Sequence, residues 1–248
     1  MERWKYFDIT HHDHVFCNPL STGKVDELIG ILRLNPGARV LDIACGKAEF
    51  LARMAERWQV RGVGVDLLPF CVRDAREKAK SRGLENLLQF VEQDGKDFDP
   101  GPDPYDLTSC IGASWTFGGH AAALTALQGC TRSGGLVVAG EPFWRHEPPE
   151  YIAARGETRD SYASSHAENV SIGESLGLRL LYTMVSSEDG WDRYEGLQWQ
   201  AAERYAMQNP QDPDVPDLLE RVRWYRDAYL SYGRDVLGWA IYVFANEG

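Results

Sequence analysis

The sequence predicts an α/β protein: a doubly wound, largely parallel sheet of seven strands with a helical cap. Between residues 39 and 140, five short apolar segments alternate with helical patterns, which is typical of a parallel sheet covered on both faces. Two further apolar segments follow residue 175, and a long helical, aromatic stretch separates them. With 248 residues, 44% of them hydrophobic and 25% charged, the chain can bury a substantial core.

The first strand organises the rest of the prediction. Val40, Leu41 and Ile43 have the β-branched and apolar character of a buried strand. The small residues 44–46 follow it, and a helical pattern begins at Phe50. A helix that starts directly after such a turn directs free N–H groups at whatever lies in the turn. This combination predicts a nucleotide-type binding site.

The remaining elements follow in order along the chain. Further strands are predicted at Val60–Asp66, Leu87–Glu92, Tyr105–Ile111, Leu136–Gly140, Leu178–Ser187 and Gly238–Asn246. Helices are predicted at Asp26–Leu34, Pro69–Gly83, Ala121–Cys130 and over most of Asp189–Arg234. The predicted domains are an N-terminal helical lid (1–35), a core (36–188), a helical cap insertion (189–234) and the final core strand (235–248).

Composition narrows the class of partner. A formal net charge of −11 and a pI near 5.0 argue against nucleic acid or an acidic membrane surface as the partner. Five cysteines without CxxC spacing favour free thiols in a reducing compartment. The sequence shows neither an apolar run of bilayer length nor a signal-like N-terminus. We therefore expect a cytoplasmic protein, a monomer or homodimer, that acts on a small molecule.

Three strand ends carry residues suited to a nucleotide. The first is the turn at Ala44-Cys45-Gly46, and the second is Asp66, 20 residues after Gly46, about the spacing of a carboxylate that binds a ribose diol. The third is Asp94, followed by Gly95, where a carboxylate can accept a hydrogen bond from an exocyclic amine. Because the carboxyl ends of parallel strands meet at one edge, the three are expected to form one site.

This ordered set resembles the class I S-adenosylmethionine-dependent methyltransferases over about residues 36–140. The resemblance implies their Rossmann-like seven-stranded fold, with S-adenosylmethionine as cofactor and S-adenosylhomocysteine as product. It also implies that the cofactor-binding residues are Asp42, Ala44, Cys45 and Gly46 for the aminoacyl end, Asp66 and Leu67 for the ribose, Asp94 and Gly95 for the adenine, and Ile111 below the methyl group. Ala44 and Ala48 stand where the family usually has glycine.

Three further segments are similar to a bacterial subgroup of small-molecule methyltransferases. These are residues 18–21, 111–119 and 140–144. A dinucleotide-binding site is a weaker interpretation, because the chain lacks the G-x-G-x-x-G turn that such sites use. Two further functions stay open: a non-catalytic S-adenosylmethionine-binding partner subunit, and a methyltransferase that acts on a macromolecule.

Candidates for catalysis and acceptor binding follow strands four and five. His120 and Glu141 are the candidate catalytic residues, since histidine and carboxylate side chains can accept a proton from a nucleophile. Each also has an ordinary structural explanation, as a helix-start residue and as a loop cap or arginine partner. The candidate substrate-contacting residues are Trp115, Phe117, Phe143, Trp144 and Tyr151.

The histidine-rich segment before residue 21 invites a metal-site interpretation. His11, His12 and His14 lie close together, but the sequence places no carboxylate or cysteine beside them. A polar lid over the cofactor is the favoured interpretation, and no metal site is expected. The aromatic helices after residue 189 are expected to form a cap on the catalytic face, and a dimer contact is the competing interpretation.

Overall fold

The computed structural model describes residues 1–156, 158–159 and 164–248, and its centre is a twisted sheet with helices on both faces. The strands of the described chain are β1 (Arg39–Ile43), β2 (Arg61–Asp66), β3 (Leu88–Glu92), β4 (Tyr105–Ile111), β5 (Thr131–Trp144), β6 (Ser164–Ser165), β7 (Leu178–Val185) and β8 (Leu237–Asn246). The main path runs β3-β2-β1-β4-β5-β8-β7, and the two-residue β6 pairs with β5. The predicted seven-stranded, doubly wound architecture is confirmed.

Helices cover both faces of the sheet. They are α1 (Arg3–Thr10), α2 (Thr22–Leu32), α3 (Glu49–Trp58), α4 (Pro69–Ser81), α5 (His120–Cys130), α6 (Pro149–Arg155), α7 (His166–Ser175), α8 (Glu188–Gln208), α9 (Val215–Ala228) and α10 (Arg234–Val236). Short 3-10 turns occur at Gly95–Asp97 and Ser114–Phe117, and a π-helical turn at Tyr229–Gly233 joins α9 to α10. Among the described helices, none combines the length and hydropathy that a bilayer crossing requires.

The order of the strands fixes where a ligand can bind. Strands β1 to β5 pair in parallel, and the chain order reverses between β1 and β4. Ligands of open α/β sheets bind at such a reversal, beyond the carboxyl ends of the strands. The antiparallel β8 lies between β5 and β7, and all ten of its residues are buried.

Strand β5 is longer than predicted. The predicted strand ends at Gly140, which pairs with Ile111, the last residue of the neighbouring β4. On its other side β8 continues to pair with it up to Trp144. Glu141 therefore lies inside an extended strand, one residue beyond the end of β4. Residues 131–135, which precede the predicted start of the strand at Leu136, also belong to β5, and Gly134 there has a φ of +71°.

The helical regions differ from the sequence pattern at two points. Helix α1 was not identified, since its apolar residues show little helical periodicity. The long pattern after residue 189 divides into α8 and α9 at residues 209–214. Helix α1 packs on these cap helices through a buried cluster of Tyr6, Ile9, Ala202, Leu218 and Val222.

Helix α2 has a different place. It packs against α3 of the core, where the Trp58 indole donates to the Ile29 carbonyl at 2.8 Å. The predicted lid of residues 1–35 thus contains one helix on the cap and one on the core. The domain boundaries at residues 35, 188 and 234 stay a prediction.

Candidate active site

Two adjoining cavities lie beyond the carboxyl ends of the parallel strands. The smaller has a volume of about 170 Å³ and follows the ends of β1, β2 and β3. The larger, about 810 Å³, lies between the ends of β4 and β5 and the cap. Both are lined by Phe7, His11, Cys17, Gly112, Trp115 and Tyr194. These six shared residues surround the place where the two cavities meet.

The loop between β1 and α3 adopts a conformation that suits glycine. Ala44, Gly46 and Ala48 have φ values of 55°, 55° and 54°, all in the left-handed region. Alanine has a steric cost there that glycine does not. The sequence departures at Ala44 and Ala48 therefore keep the backbone shape of a glycine-rich loop. Ala44 and Gly46 line the small cavity, whereas Ala48 is buried beneath it.

Asp66 joins two loops of the small cavity. One carboxylate oxygen accepts from the Gly46 amide at 2.8 Å, and the other accepts from the Leu68 amide at 2.8 Å. Burial raises the pKa of Asp66, although the two amide hydrogen bonds oppose this shift. Each oxygen retains a lone pair for a hydroxyl donor, and Asp66 and Leu67 both line the cavity.

The third strand end closes the small cavity. Asp94 and Gly95 both line it, and Asp94 accepts from the Lys96 amide as the cap of a 3-10 turn. The hydrogen bond from the Lys96 ammonium is the main cause that lowers the pKa of Asp94. A Cβ atom at Gly95 would lie 2.4 Å from Cγ2 of Ile43, so only glycine fits without displacing β1. Ile111 completes this wall.

Two predicted cofactor residues lie behind the lining. Asp42 is buried and accepts a hydrogen bond from the Ser109 hydroxyl at 2.6 Å. Burial raises its pKa to about 7, although the Ser109 hydrogen bond favours the charged form. The Cys45 thiol points into the protein, where a Cβ atom at Gly64 would approach it to 2.8 Å. Both residues support the loop from below and do not line either cavity.

His120 and Glu141 meet on the wall of the large cavity. The Nδ1 atom of His120 lies 3.4 Å from Oε1 of Glu141, and their side chains are 7% and 10% exposed. The Nε2 atom of His120 lies 3.1 Å from the backbone carbonyl of Asn169. A carbonyl only accepts, so Nε2 carries a hydrogen. The Asn169 amide in turn donates to the Pro142 carbonyl and to the Tyr242 hydroxyl, each at 3.1 Å.

This arrangement leaves one proton site between the two side chains. When His120 is neutral and its hydrogen is on Nε2, Nδ1 can only accept a hydrogen bond. It faces Oε1 of Glu141, which also only accepts, so neither atom has a hydrogen-bond partner within the described residues. One additional proton between Nδ1 and Oε1 converts this opposition into a hydrogen bond. The pair can therefore hold one additional proton at the wall of the large cavity.

The predicted substrate residues separate into two groups. Trp115, 57% exposed, lines both cavities, and Tyr151 lines the large one. The structure places Phe117, Phe143 and Trp144 outside the lining of either cavity. Phe143 fills the space over Gly238 and packs on the His166 ring. The Trp144 indole donates to the Arg159 carbonyl at 3.1 Å, and Phe117 packs against the buried core. Both β5 aromatics are buried because the strand continues past Gly140.

Several lining residues were missed because they come from distant parts of the chain. The α1 residues Tyr6 and Phe7, the α6 residue Arg155, the α8 residues Tyr194 and Glu195, and the α9 residues Arg221 and Tyr225 line the large cavity. No local motif marks these positions. The only signal in the sequence was the aromatic content of the segment after residue 189.

The histidine segment forms a connection between α1 and the cap. The Thr10 hydroxyl donates to the Tyr6 carbonyl, so its oxygen accepts from His11 Nδ1 at 2.9 Å. His11 Nε2 then accepts from the Tyr194 hydroxyl at 3.1 Å. Burial lowers the pKa of His11 to about 3, which keeps this pattern neutral. Within the described residues, no group of three or more metal-ligating side chains could hold a metal ion.

The same segment is also tied to the core and to the cap. The Lys47 ammonium, from the β1–α3 loop, donates to the His11 carbonyl at 3.0 Å and to the His12 carbonyl at 2.7 Å. At the other side, Lys5 pairs with Asp212 and Asp214, each at 2.7 Å. Helix α1 is thereby held over the small cavity by charged contacts at both ends.

Comparisons with known proteins agree with this geometry. Residues 40–135 match the family described as a methyltransferase domain. The crystal structure of a methyltransferase from Geobacter sulfurreducens in complex with S-adenosyl-L-homocysteine has a TM-score of 0.91 to this chain, with 29% identity and 97% of each chain covered. A second such complex, from Thiobacillus denitrificans, has a TM-score of 0.90, with 29% identity and 98% of each chain covered.

Over its whole length the chain is thus similar to S-adenosylmethionine-dependent methyltransferases and has their Rossmann-like fold. Both of these similar structures contain S-adenosyl-L-homocysteine, the product expected from the predicted cofactor. Along its whole length the chain is similar to the uncharacterized protein YjhP of Escherichia coli strain K12, with 28% identity over 241 residues, 96% of this chain and 97% of that protein.

Proposed function

We propose that the chain transfers the methyl group of S-adenosylmethionine, bound in the small cavity, to a small molecule bound in the large one. The observation that carries this proposal is the wall of six residues that the two cavities share. A volume of about 810 Å³ is within the range of small-molecule sites, roughly 300–1,000 Å³. One chain lines both cavities.

The small cavity fits the cofactor. Three left-handed residues turn the β1–α3 loop around the cleft, and the absence of a Cβ atom at Gly95 lets this wall pack closely against Ile43 of β1. In this assignment Ala44 and Gly46 contact the aminoacyl end, and Asp66 accepts from the ribose hydroxyls beside Leu67. Asp94 and Gly95 meet the adenine. Bound there, S-adenosylmethionine supplies an electrophilic methyl group on a sulfonium.

The residues of the large cavity position the nucleophile and receive its proton. Methyl transfer is an in-line displacement, so alignment of the acceptor and exclusion of water are the main tasks of the protein. Glu141 and His120 orient an O–H or N–H group of the acceptor and take its proton into the site between Oε1 and Nδ1. Asn169 holds His120 in the tautomer that leaves Nδ1 available.

Cofactor binding tests the first half of this proposal. Calorimetric titration with S-adenosylmethionine and S-adenosylhomocysteine should show binding that Asp66→Asn weakens about 10- to 100-fold, as expected for a lost hydrogen bond to a charged group. Asp97→Asn is the matched control, because Asp97 is an exposed carboxylate outside the cavity. If Asp66→Asn and Asp97→Asn bound the cofactor with equal affinity, Asp66 would not be a cofactor-binding residue. Absence of any binding by folded wild-type protein would overturn the proposal.

Methyl transfer tests the second half. Wild-type protein, radiolabelled S-adenosylmethionine and a panel of small acceptors should give a labelled small-molecule product. Label recovered only in RNA or protein added to the same assay would instead favour a macromolecular acceptor.

A further inference from the structure

We propose that the part of the large cavity lined by the cap is a subsite for an anionic group of the acceptor, a carboxylate or a phosphate, bound by Arg221 and Arg155. This inference rests on the proposed function, since it names the chemical class of the small-molecule acceptor. The residues that define this subsite are Arg155, Glu195, Gln198, Arg221 and Tyr225; they line the large cavity and do not line the small one.

Arg221 offers hydrogen-bond donors that the described residues do not use. Its guanidinium carbon lies 4.0 Å from the ring centre of Tyr6, and the stacking leaves the edge of the guanidinium available. No carboxylate of the described chain forms an ion pair with it. The nearby Asp217, one helical turn earlier, instead binds the Met1 amine at 2.8 Å. A half-buried guanidinium that faces a cavity in this way is suited to a bidentate oxyanion.

A second guanidinium converges on the same place. Arg155 and Arg221 lie 4.9 and 5.8 Å from the ring centre of Tyr225. Both guanidinium groups line this part of the large cavity, and their positive charge favours an anion there. Arginine is also the residue best matched to the planar geometry of carboxylate and phosphate groups.

Glu195 adjusts the charge of this subsite. Burial raises the pKa of its carboxyl group to about 7, and the positive charge of Arg155 opposes the shift. Two further titratable groups among the described residues, Tyr6 of α1 and Tyr229 of the π-helical turn, also interact with it. When Glu195 is charged, its negative charge offsets part of the positive charge of the two arginines. When Glu195 is protonated, it no longer offsets Arg155, and its O–H can donate to the anion.

The aromatic side chains that line the rest of the large cavity indicate the chemical character of the acceptor. Tyr6, Tyr151, Trp191, Tyr225, Tyr229 and Trp239 all line the large cavity. Such aromatic walls favour a flat, largely apolar ligand. The structure thus assigns the acceptor to the aromatic acids, with the oxyanion on the arginines and the nucleophile at His120 and Glu141.

Binding of simple probes tests this assignment. The probes are benzoate, phenyl phosphate, the neutral isostere benzamide and the cation benzylamine, titrated into protein saturated with S-adenosylhomocysteine. At least one of the two anions should bind at least about ten-fold tighter than benzamide, and the tighter anion identifies the oxyanion. Arg221→Gln should abolish this preference. Arg223→Gln should retain it, because Arg223 is exposed and pairs with Glu203 at 3.0 Å.

Each contrary result has a distinct meaning. Equal binding of benzamide or benzylamine, or an anion preference that survives Arg221→Gln, would overturn the subsite. Failure of both anions to bind at about 10 mM would overturn it as well. None of these outcomes changes the result of the cofactor titration. Failure of the subsite can therefore be distinguished from failure of the methyltransferase proposal. An unchanged melting temperature and unchanged S-adenosylhomocysteine affinity of Arg221→Gln show that the variant is folded.

Discussion

His120 and Glu141 face each other with Nδ1 3.4 Å from Oε1, and the opposite nitrogen of the same ring is fixed by the Asn169 carbonyl. The hydrogen on Nε2 is therefore committed to the backbone, and the other nitrogen can respond to what binds in the cavity. Helix α5 supplies the histidine and β5 supplies the glutamate. Their meeting depends on the extension of β5 past the end of β4.

Glu141→Gln should lower kcat at least about 100-fold, because an amide cannot receive the acceptor's proton. The affinity for S-adenosylhomocysteine should stay within about three-fold, since Glu141 lies outside the small cavity. Steady-state kinetics with an acceptor from the screen, together with calorimetry, measures both quantities. Glu174→Gln, an exposed change on α7, is the control. Equal kcat values for the two variants would exclude a proton-transfer role for Glu141.

Ala48→Gly should leave the free energy of unfolding unchanged or raise it by up to about 1 kcal/mol. Glycine relieves the steric cost of a φ of 54°, which offsets its greater freedom in the unfolded chain. Ala52→Gly is the matched control, because Ala52 is equally buried but lies inside α3. That change should lower stability by about 1 kcal/mol. If urea denaturation showed that Ala48→Gly and Ala52→Gly lower the free energy of unfolding equally, the backbone at Ala48 would not be strained.

Glu49→Gln should lower the free energy of unfolding at pH 7 by about 3 kcal/mol. The carboxylate of Glu49 is 2% exposed and lies within 2.8 Å of Arg53, Lys78 and Arg82. Removal of its charge leaves these three cations without their common partner.

The same contact has a defined pH dependence. Burial alone would raise the pKa of Glu49, but hydrogen bonds from Lys78, Arg82 and Arg53 outweigh it and lower the pKa. The stabilisation by Glu49 is therefore complete above the unfolded-state pKa of about 4.3 and is lost as the pH falls through the folded-state pKa. Denaturation curves should show the difference between wild type and Glu49→Gln shrinking below pH 4. A constant difference would contradict the proposed charge effect.

Lys47→Met should loosen the segment that covers the small cavity. Loss of the ammonium removes the donors to the His11 and His12 carbonyls, so the amides of residues 3–14 should exchange faster with deuterium. Release of S-adenosylhomocysteine should also be several-fold faster by stopped flow. Lys80→Met, on the exposed side of α4, should change neither rate. Unchanged exchange in Lys47→Met would mean that the contacts of α1 with the cap are sufficient to hold it.

The sequence was sufficient for the parts of the site that are local. The apolar strands, the small-residue turn and the acidic strand ends at Asp66 and Asp94 follow one another along the chain at readable spacings. No local sequence pattern marks the large cavity. Its lining residues lie on helices that are far apart in the sequence and meet only when the chain packs; they include Tyr6 of α1, Arg155 of α6, Tyr194 of α8 and Arg221 of α9. The end of β5 also escaped prediction, since pairing with the distant β8 extends it beyond Gly140.

The position of β8 also governs how the sheet can be completed. This last strand lies between β5 and β7 and is buried along all its ten residues, so both of its neighbours present unpaired edges until it inserts. The cap helices α8 and α9 precede it in the sequence and so arise before the sheet beneath them is complete. A chain that stalls before residue 237 would leave β5 and β7 without the partner that they share, and such unpaired strand edges favour aggregation.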